Sequence, residues 1–124
     1  MLLAVYGTLR RKGGANVMLR LVGAEFVGKG IVRGYKLYAS RIPFAVKGSP
    51  NDSIVVEVYD VPNEKVPLID FYESGYERVK VVVDMESKKL EAWLYEWKGD
   101  LEGCERLECG DWVEHIERKC RCFR

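Results

Sequence analysis

Short β-type segments joined by tight turns make up most of this 124-residue chain. Strands of this kind bury an apolar face only by pairing with one another, and glycines between residues 23 and 34 are typical of bent or bulged strands. The chain shows no sustained strand-helix alternation, which a parallel sheet would need. We therefore predict an α+β fold with a mostly antiparallel, strongly curved, barrel-like sheet. The predicted strands cover residues 1–5, 24–32, 35–38, 53–61, 76–85 and 90–97.

Two or three short helices complete the predicted fold. Apolar residues recur at helical spacing between residues 15 and 22, which predicts one or two helical turns. A second helix is predicted over residues 64–72, with Pro67 in its first turn and Gly75 ending it. Residues 40–50 and 98–108 are predicted connections. We place one domain over residues 1–112, followed by a basic, cysteine-containing tail, residues 113–124, that is either a final helix or frayed.

The near balance of charge limits the kinds of partner that we expect. The chain has 20 Lys plus Arg against 19 Asp plus Glu, a formal net charge of +1. Nucleic acids and anionic lipids are bound by a dense positive face, so a small-molecule partner is favoured over either. No apolar run approaches the ~18–20 residues of a membrane span, and the N-terminal run lacks the flanks of a secretory signal. We predict a cytoplasmic protein, and the sequence leaves its oligomeric state open.

His115 is the single histidine of the chain, which restricts the possible mechanisms. A Ser-His-Asp triad or a Cys-His pair would have to use this imidazole, yet it lies among charged residues and has neither the nucleophile-elbow nor the His-Glu-x-x-His spacing. If the protein is an enzyme, its acid-base group is therefore expected to be a carboxylate.

The four cysteines all lie in the last fifth of the chain, so they cannot hold the body of the domain together. Their spacing matches no standard zinc pattern. We predict free thiols or a local disulfide and no metal site, and a solvated basic cluster near the C-terminus. The cysteines are Cys104, Cys109, Cys120 and Cys122.

A tight turn follows the first predicted strand, with the sequence Tyr6-Gly7-Thr8-Leu9-Arg10. A glycine at this place lets the backbone adopt unusual dihedral angles, and the amides after it can point into a common concavity that holds an anion or an oxyanion. The alternative interpretation is a simple strand end with a solvated Arg10.

Glu73 is a second candidate, because it lies where the second predicted helix ends. A carboxylate there is disfavoured by the helix dipole by ~0.3–1 kcal/mol, so the fold has little structural reason to prefer it. Burial against Phe71, Tyr72 or nearby aromatic residues would raise its pKa toward the range of a general base. The alternative is a surface glutamate paired with Arg78 or a lysine. Asp70 is expected to be a cap or an ion-pair partner.

Taken in order along the chain, these motifs resemble the γ-glutamylcyclotransferase superfamily, and most closely its small branch, which includes the γ-glutamylamine cyclotransferases. The resemblance covers residues 3–112. Its elements are Val-Tyr-Gly-Thr-Leu at residues 5–9, Asn16, the Asp-x-x-Glu ending at Glu73, Tyr76-x-Arg78, Trp93-x-Tyr95 and Gly110-Asp111-Trp112.

The resemblance implies a barrel-like α+β fold and a reaction that cyclises a γ-glutamyl group to 5-oxoproline and releases the attached amine or amino acid, with no cofactor or metal. By position, Glu73 would be the acid-base residue. The γ-glutamyl moiety would be bound chiefly by main-chain groups of Tyr6, Gly7, Thr8 and Leu9, and the supporting residues would be Arg10, Tyr76 and Arg78.

One local departure bears on the leaving group. Ser74 stands where the family usually has glycine, and the segment between Glu73 and Tyr76 is short. Trp93, Tyr95 and Trp97 share one face of a strand and are predicted to be packing residues, with room for one of them at a pocket.

Two other functions stay open at this point. The first is a non-catalytic module that binds a small molecule or a protein with the same fold, which a solvent-facing Glu73 would favour. The second is an accessory protein that binds nucleic acid or metal through the C-terminal tail.

Overall fold

A computed structural model describes residues 1–118. It contains eight strands and three short α-helices, with a turn of 3₁₀ helix over Asn63–Lys65 before the second helix. The strands are β1 Leu2–Val5, β2 Glu25–Arg33, β3 Tyr35–Ala39, β4 Pro43–Lys47, β5 Ser53–Asp60, β6 Tyr76–Met85, β7 Lys89–Trp97 and β8 Glu105–Leu107. The helices are α1 Val17–Leu21, α2 Val66–Tyr72 and α3 Trp112–Ile116.

Five strands close into a barrel in the order β1-β5-β2-β6-β7. Neighbouring strands in it are antiparallel except for β1 and β7, which run parallel and close the barrel through the pairs Leu3–Trp93 and Ala4–Leu94. The other three strands form an antiparallel sheet in the order β4-β3-β8. The α+β class and the curved, mostly antiparallel barrel with short helices are confirmed.

Strand β1 divides its side chains between two apolar clusters, as the two-residue period of a strand requires. Ala4 belongs to a cluster that joins the barrel to the second sheet, whereas Leu3 and Val5 pack with Leu19 of α1 and Ile69 of α2. Full burial of a Leu or Ile side chain stabilises a fold by about 1.5–3 kcal/mol. The two helices are thereby held against the outside of β1, close to where this strand ends.

The predicted connections contain two strands that the sequence did not reveal. Strand β4 lies inside residues 40–50 and β8 inside residues 98–108. Both are short and pair with opposite edges of β3, so that Leu37 lies between Ala45 and Leu107. Five and three residues are too few for a periodic pattern, and these strands are defined by their partner.

The C-terminal region is described as far as residue 118. Helix α3 crosses the predicted domain boundary at residue 112, and its first residues, Trp112 and Val113, are buried. Cys104 is a free thiol and Cys109 is disulfide-bonded, while Cys120, Cys122 and most of the predicted basic cluster lie outside the described residues. Among the described helices, none has the length and apolarity that crossing a bilayer requires.

Candidate active site

A cavity of about 260 Å³ lies between the turn after β1 and the end of α2. We call residues 6–9 the first turn; all four of them line this cavity, and so does Glu73. Helix α2 reaches this place because it follows β5, the barrel neighbour of β1. Thr8 Oγ1 and the Tyr72 hydroxyl are 3.1 Å apart, so the two walls also touch. The structure therefore brings together segments that lie more than sixty residues apart in the sequence.

Glu73 occupies the C-cap position of α2. Its N–H donates to the Ile69 carbonyl at 2.9 Å, and Gly75, with a φ of 96°, turns the chain back into β6. The side chain is partly buried, and within residues 1–118 no donor or cation pairs with its carboxylate. This burial raises the pKa of Glu73 to about 7. Pairing of Glu73 with Arg78, the alternative considered from the sequence, is not found.

Three tyrosines near Glu73 give their hydroxyl protons to other acceptors. Tyr6 donates to the Tyr95 carbonyl at 2.7 Å, Tyr76 to the Pro43 carbonyl at 2.8 Å, and Tyr95 to Asp70 Oδ1 at 2.8 Å. Burial raises the pKa of each tyrosine, and the charge of Glu73 adds to that increase. These neutral tyrosines thus line the cavity together with Glu73 and do not neutralise its carboxylate. Phe71, by contrast, is 82% exposed and does not bury Glu73.

The first turn lines the cavity and has main-chain N–H groups that donate to no acceptor in the described chain. Its Gly7 and Thr8 carbonyls accept from the N–H groups of Arg10 and Ala15. Within the described part of the chain, the N–H groups of Gly7, Thr8 and Leu9 have no acceptor of their own. Successive free amides at a turn can hold an anion.

Gly7 is needed for a reason other than the one predicted. Its φ lies outside the left-handed region, so unusual dihedral angles are not what requires a glycine. A Cβ atom at this position would instead overlap Cγ of Pro43, which lines the cavity from β4. Close packing of the first turn against β4 therefore excludes a side chain here.

Arg10 lies on the side of the first turn that faces away from the cavity. The expectation of a solvated arginine is wrong, because Arg10 is only 3% exposed. Its Nε lies 3.1 Å from a Glu57 carboxylate oxygen and its NH1 lies 2.8 Å from Asp111 Oδ1. Glu57 also accepts from the N–H of Arg11 at 2.8 Å. Arg10 thus fixes the end of the first turn to β5 and to the residue that caps α3.

Asp70 is the ion-pair partner of Arg78. The Arg78 Nε and NH2 groups donate to the two Asp70 carboxylate oxygens at 3.0 and 3.1 Å. The guanidinium also lies over the Trp93 ring, 5.1 Å from its centroid. Neither side chain lines the cavity; they hold the helix that carries Glu73.

The aromatic residues on one face of β7 have two roles: Trp97 packs against other rings, and Tyr95 lines the cavity. Trp97 packs against Phe44 and Tyr76, whose ring centroids lie 4.8 and 5.2 Å from its own. Tyr95 is 4% exposed and lines the cavity. The prediction that one of these aromatic residues has room at a pocket is confirmed.

Ile42 and Pro43 also line the cavity, and sequence reasoning missed both. The one available signal is the apolar run that begins at Pro43 inside the predicted loop.

Glu73 is the single charged residue among those that line the cavity in the described chain. In residues 1–118 no three His, Cys, Asp or Glu side chains form a group that could hold a metal ion.

Comparison with known proteins gives the same family along nearly the whole chain. The family model described as "Gamma-glutamyl cyclotransferase, AIG2-like" matches residues 3–114. A Pyrococcus horikoshii protein named "Putative gamma-glutamylcyclotransferase PH0828" is 38% identical over 114 residues, which cover 90% of each chain. A Methanocaldococcus jannaschii protein named "Putative gamma-glutamylcyclotransferase MJ1514" is 38% identical over 117 residues, covering 90% of this chain and 94% of the relative.

A solved structure shows that the likeness extends to the fold. The crystal structure of PH0828 from Pyrococcus horikoshii superposes with a TM-score of 0.78 at 35% sequence identity. The superposition covers 96% of this chain and 94% of that one. With a matching family model and two relatives above 30% identity over most of their length, the chain belongs to the gamma-glutamyl cyclotransferase, AIG2-like family.

Proposed function

We propose that this protein converts a γ-glutamyl amine or γ-glutamyl peptide to 5-oxoproline and a free amine, with Glu73 as the general acid and base. One observation carries the proposal: a partly buried carboxylate without an ion-pair partner shares a small cavity with the first turn. The family and the names of the two relatives support the enzyme class.

The reaction needs one acid-base group because the substrate contains its own nucleophile. The α-amino nitrogen attacks the γ-carbonyl carbon, a C–N bond closes the five-membered ring, and the C–N bond to the leaving amine breaks. An α-amino group with a pKa near 8 is largely protonated at neutral pH and must first lose a proton. A carboxylate with a pKa of about 7 can accept that proton and deliver it to the leaving nitrogen, and it can then take the second proton, which the attacking nitrogen loses as it becomes the ring amide, and pass it to the released amine. Such proton transfer typically accelerates a reaction by ~10² to 10⁴.

The first turn supplies the binding groups in this proposal. The free N–H groups of Gly7, Thr8 and Leu9 would donate to the substrate α-carboxylate or to the oxyanion that forms at the γ-carbonyl. No cationic side chain lines the cavity within the described residues, so main-chain donors are the available partners for negative charge. Binding the folded substrate there also holds the amine close to the carbonyl, which adds a large rate factor.

A non-catalytic binding module would be favoured by a Glu73 side chain that faces solvent. Glu73 instead lines the cavity. We therefore retain the enzyme as the proposal. The predicted cytoplasmic location, the domain boundary at residue 112 and the absence of a metal requirement stay predictions.

The test is a panel of γ-glutamyl amines and γ-glutamyl dipeptides with 5-oxoproline release as the readout. We expect turnover by the wild type, a loss of ~10² to 10⁴ in kcat for Glu73→Gln, and wild-type activity for Glu77→Gln. Glu77 is a matched control because it is an exposed glutamate near Glu73 that does not line the cavity. Equal activity of Glu73→Gln would refute the role of Glu73, and no release by the wild type on any substrate would refute cyclisation.

A further inference from the structure

Helix α2 is held against the barrel by few apolar contacts. It has 7 residues, of which only Val66 and Ile69 are buried. Leu68 is 54% exposed and Phe71 is 82% exposed. A helix of this length is not stable by itself, so its position depends on what anchors it. Glu73 caps this helix, and its location depends on the same anchors.

The polar anchor of α2 is Asp70, one helical turn before Glu73. Arg78 of β6 binds both oxygens of its carboxylate, and the Tyr95 hydroxyl of β7 donates to one of them at 2.8 Å. Bidentate pairs of this kind fix direction as well as distance. The end of α2 is thereby tied to two adjacent barrel strands.

Tyr95 also contacts the opposite wall of the cavity. Its main-chain carbonyl accepts the hydroxyl proton of Tyr6 at 2.7 Å, and the Tyr6 hydroxyl in turn accepts from the N–H of Ala45 at 3.2 Å. Tyr6 is the residue with which the first turn begins. One residue of β7 therefore bonds to the first turn through its backbone and to the helix of Glu73 through its side chain.

We infer that Tyr95 is a positioning residue that sets the location of Glu73 relative to the first turn, through its hydroxyl bond to Asp70 and its carbonyl bond to Tyr6. The inference rests on the proposed function, because positioning matters only if Glu73 reacts with a group bound at the first turn. A displacement of about 1 Å between reacting groups can cost ~10²-fold in rate. Substrate binding, which we assign to the main chain of the first turn, depends much less on the Tyr95 hydroxyl.

The kinetic test compares Tyr95→Phe with Tyr35→Phe. Tyr35 is a matched control, since it too is a buried tyrosine whose hydroxyl donates to a carboxylate, Glu96, at 2.7 Å, and it does not line the cavity. We expect Tyr95→Phe to lower kcat by ~10- to 100-fold with KM changed by less than ~3-fold, and Tyr35→Phe to retain wild-type kcat. Equal kcat for the two variants would overturn the inference.

A second readout needs no substrate and therefore separates this inference from the proposed function. Tyr6, Tyr76 and Tyr95 interact electrostatically with Glu73, Tyr72 lines the same cavity, and burial raises the pKa of Glu73. When the Tyr95 bond to Asp70 is lost, we expect the end of α2 to open and Glu73 to become more hydrated. Its pKa, followed by carboxyl ¹³C NMR, should then fall from about 7 toward 4.5 in Tyr95→Phe and stay at about 7 in Tyr35→Phe.

The outcomes of this titration are distinct from those of the substrate panel. If the wild type releases no 5-oxoproline but the Glu73 pKa falls only in Tyr95→Phe, the proposed function fails, whereas the structural part of the inference, that Tyr95 fixes the location of Glu73, stands. An unchanged Glu73 pKa in Tyr95→Phe overturns the inference whatever the activity. Asp70→Asn serves as the second variant should Tyr95→Phe fold poorly, and the same fall in the Glu73 pKa is expected there.

Discussion

The two sides of the first turn hold carboxylates in opposite situations. On the cavity side, Glu73 is partly buried and no described cation or donor pairs with it. On the far side, Glu57 is 4% exposed and accepts from Arg10, from the N–H of Arg11 and from the Tyr59 hydroxyl. Burial raises the pKa of Glu73 to about 7. The charge of the buried Glu57 is balanced by its ion pair with Arg10.

The difference separates structural carboxylates from the candidate catalytic one. A paired and hydrogen-bonded carboxylate holds the chain in place, and its proton affinity is of no use to a substrate. A buried carboxylate that has no partner destabilises the fold when it is ionised, because its charge has lost contact with water. For the same reason its pKa is raised and it is a stronger base. The paired carboxylate of Glu57 thus fixes the end of the first turn, whereas the unpaired carboxylate of Glu73 shares the cavity with this turn.

The largest expected effect comes from breaking the paired side. Arg10→Met leaves Glu57 and Asp111 without their shared cation, and we expect the free energy of unfolding to fall by about 3–5 kcal/mol, measured by urea denaturation. The control is Arg33→Met, which removes the ion pair between Arg33 and Asp84. The Arg33 side chain is 67% exposed, so the free energy of unfolding should change by no more than about 1 kcal/mol. If the two variants lost similar amounts of unfolding free energy, the buried ion pairs of Arg10 would stabilise the fold no more than the exposed pair of Arg33, contrary to our expectation.

Removing the charge of Glu73, on the cavity side, should raise the free energy of unfolding instead of lowering it. Because the folded-state pKa of Glu73 exceeds its ordinary value of 4.5, the folded protein binds more protons than the unfolded chain between these values. The Glu73 contribution to stability is therefore present below pH 4.5 and lost as the pH rises through about 7. Glu73→Gln should be about 3 kcal/mol more stable than the wild type at pH 8 and equal to it below pH 4. A variant less stable than the wild type at pH 8 would show that Glu73 has a stabilising partner.

The smallest effect is expected where the two walls of the cavity touch. Thr8→Val removes the hydrogen bond to the Tyr72 hydroxyl, which is exposed, so stability should change by less than about 1 kcal/mol. KM should rise by ~2- to 5-fold at constant kcat, because the wall contributes to binding and takes no part in proton transfer. Tyr72→Phe should give the same result, and the double variant should be no worse than either single one. Additive effects would indicate that Thr8 and Tyr72 act separately.

The sequence predicted the parts of the fold that local pattern determines. The hairpin of β6 and β7, strand β5 and helix α2 follow from runs of β-formers, helical spacing and the placement of Pro67 and Gly75. Strands β4 and β8 were missed because each is defined by pairing with β3 and not by a pattern of its own. The predicted end of α2, residue 72, is the observed one.

The candidate site was predicted less completely, because its geometry depends on distant contacts. Residue type and order singled out Glu73 and the first turn, and the structure places both at one cavity. The burial of Arg10 depends on partners 47 and 101 positions away, and the need for glycine at position 7 comes from Pro43 on another strand. Neither leaves a local signal.

The central claim is that Glu73 is an unpaired carboxylate whose raised pKa serves proton transfer. The most direct measurement follows the Glu73 carboxyl by ¹³C NMR and the rate of 5-oxoproline release in the same buffers across pH 4–9. We expect Glu73 to titrate at about 7 and kcat to rise with the ionised fraction of this carboxyl. A Glu73 that titrates near 4.5, or a kcat that does not follow its ionisation, would contradict the account.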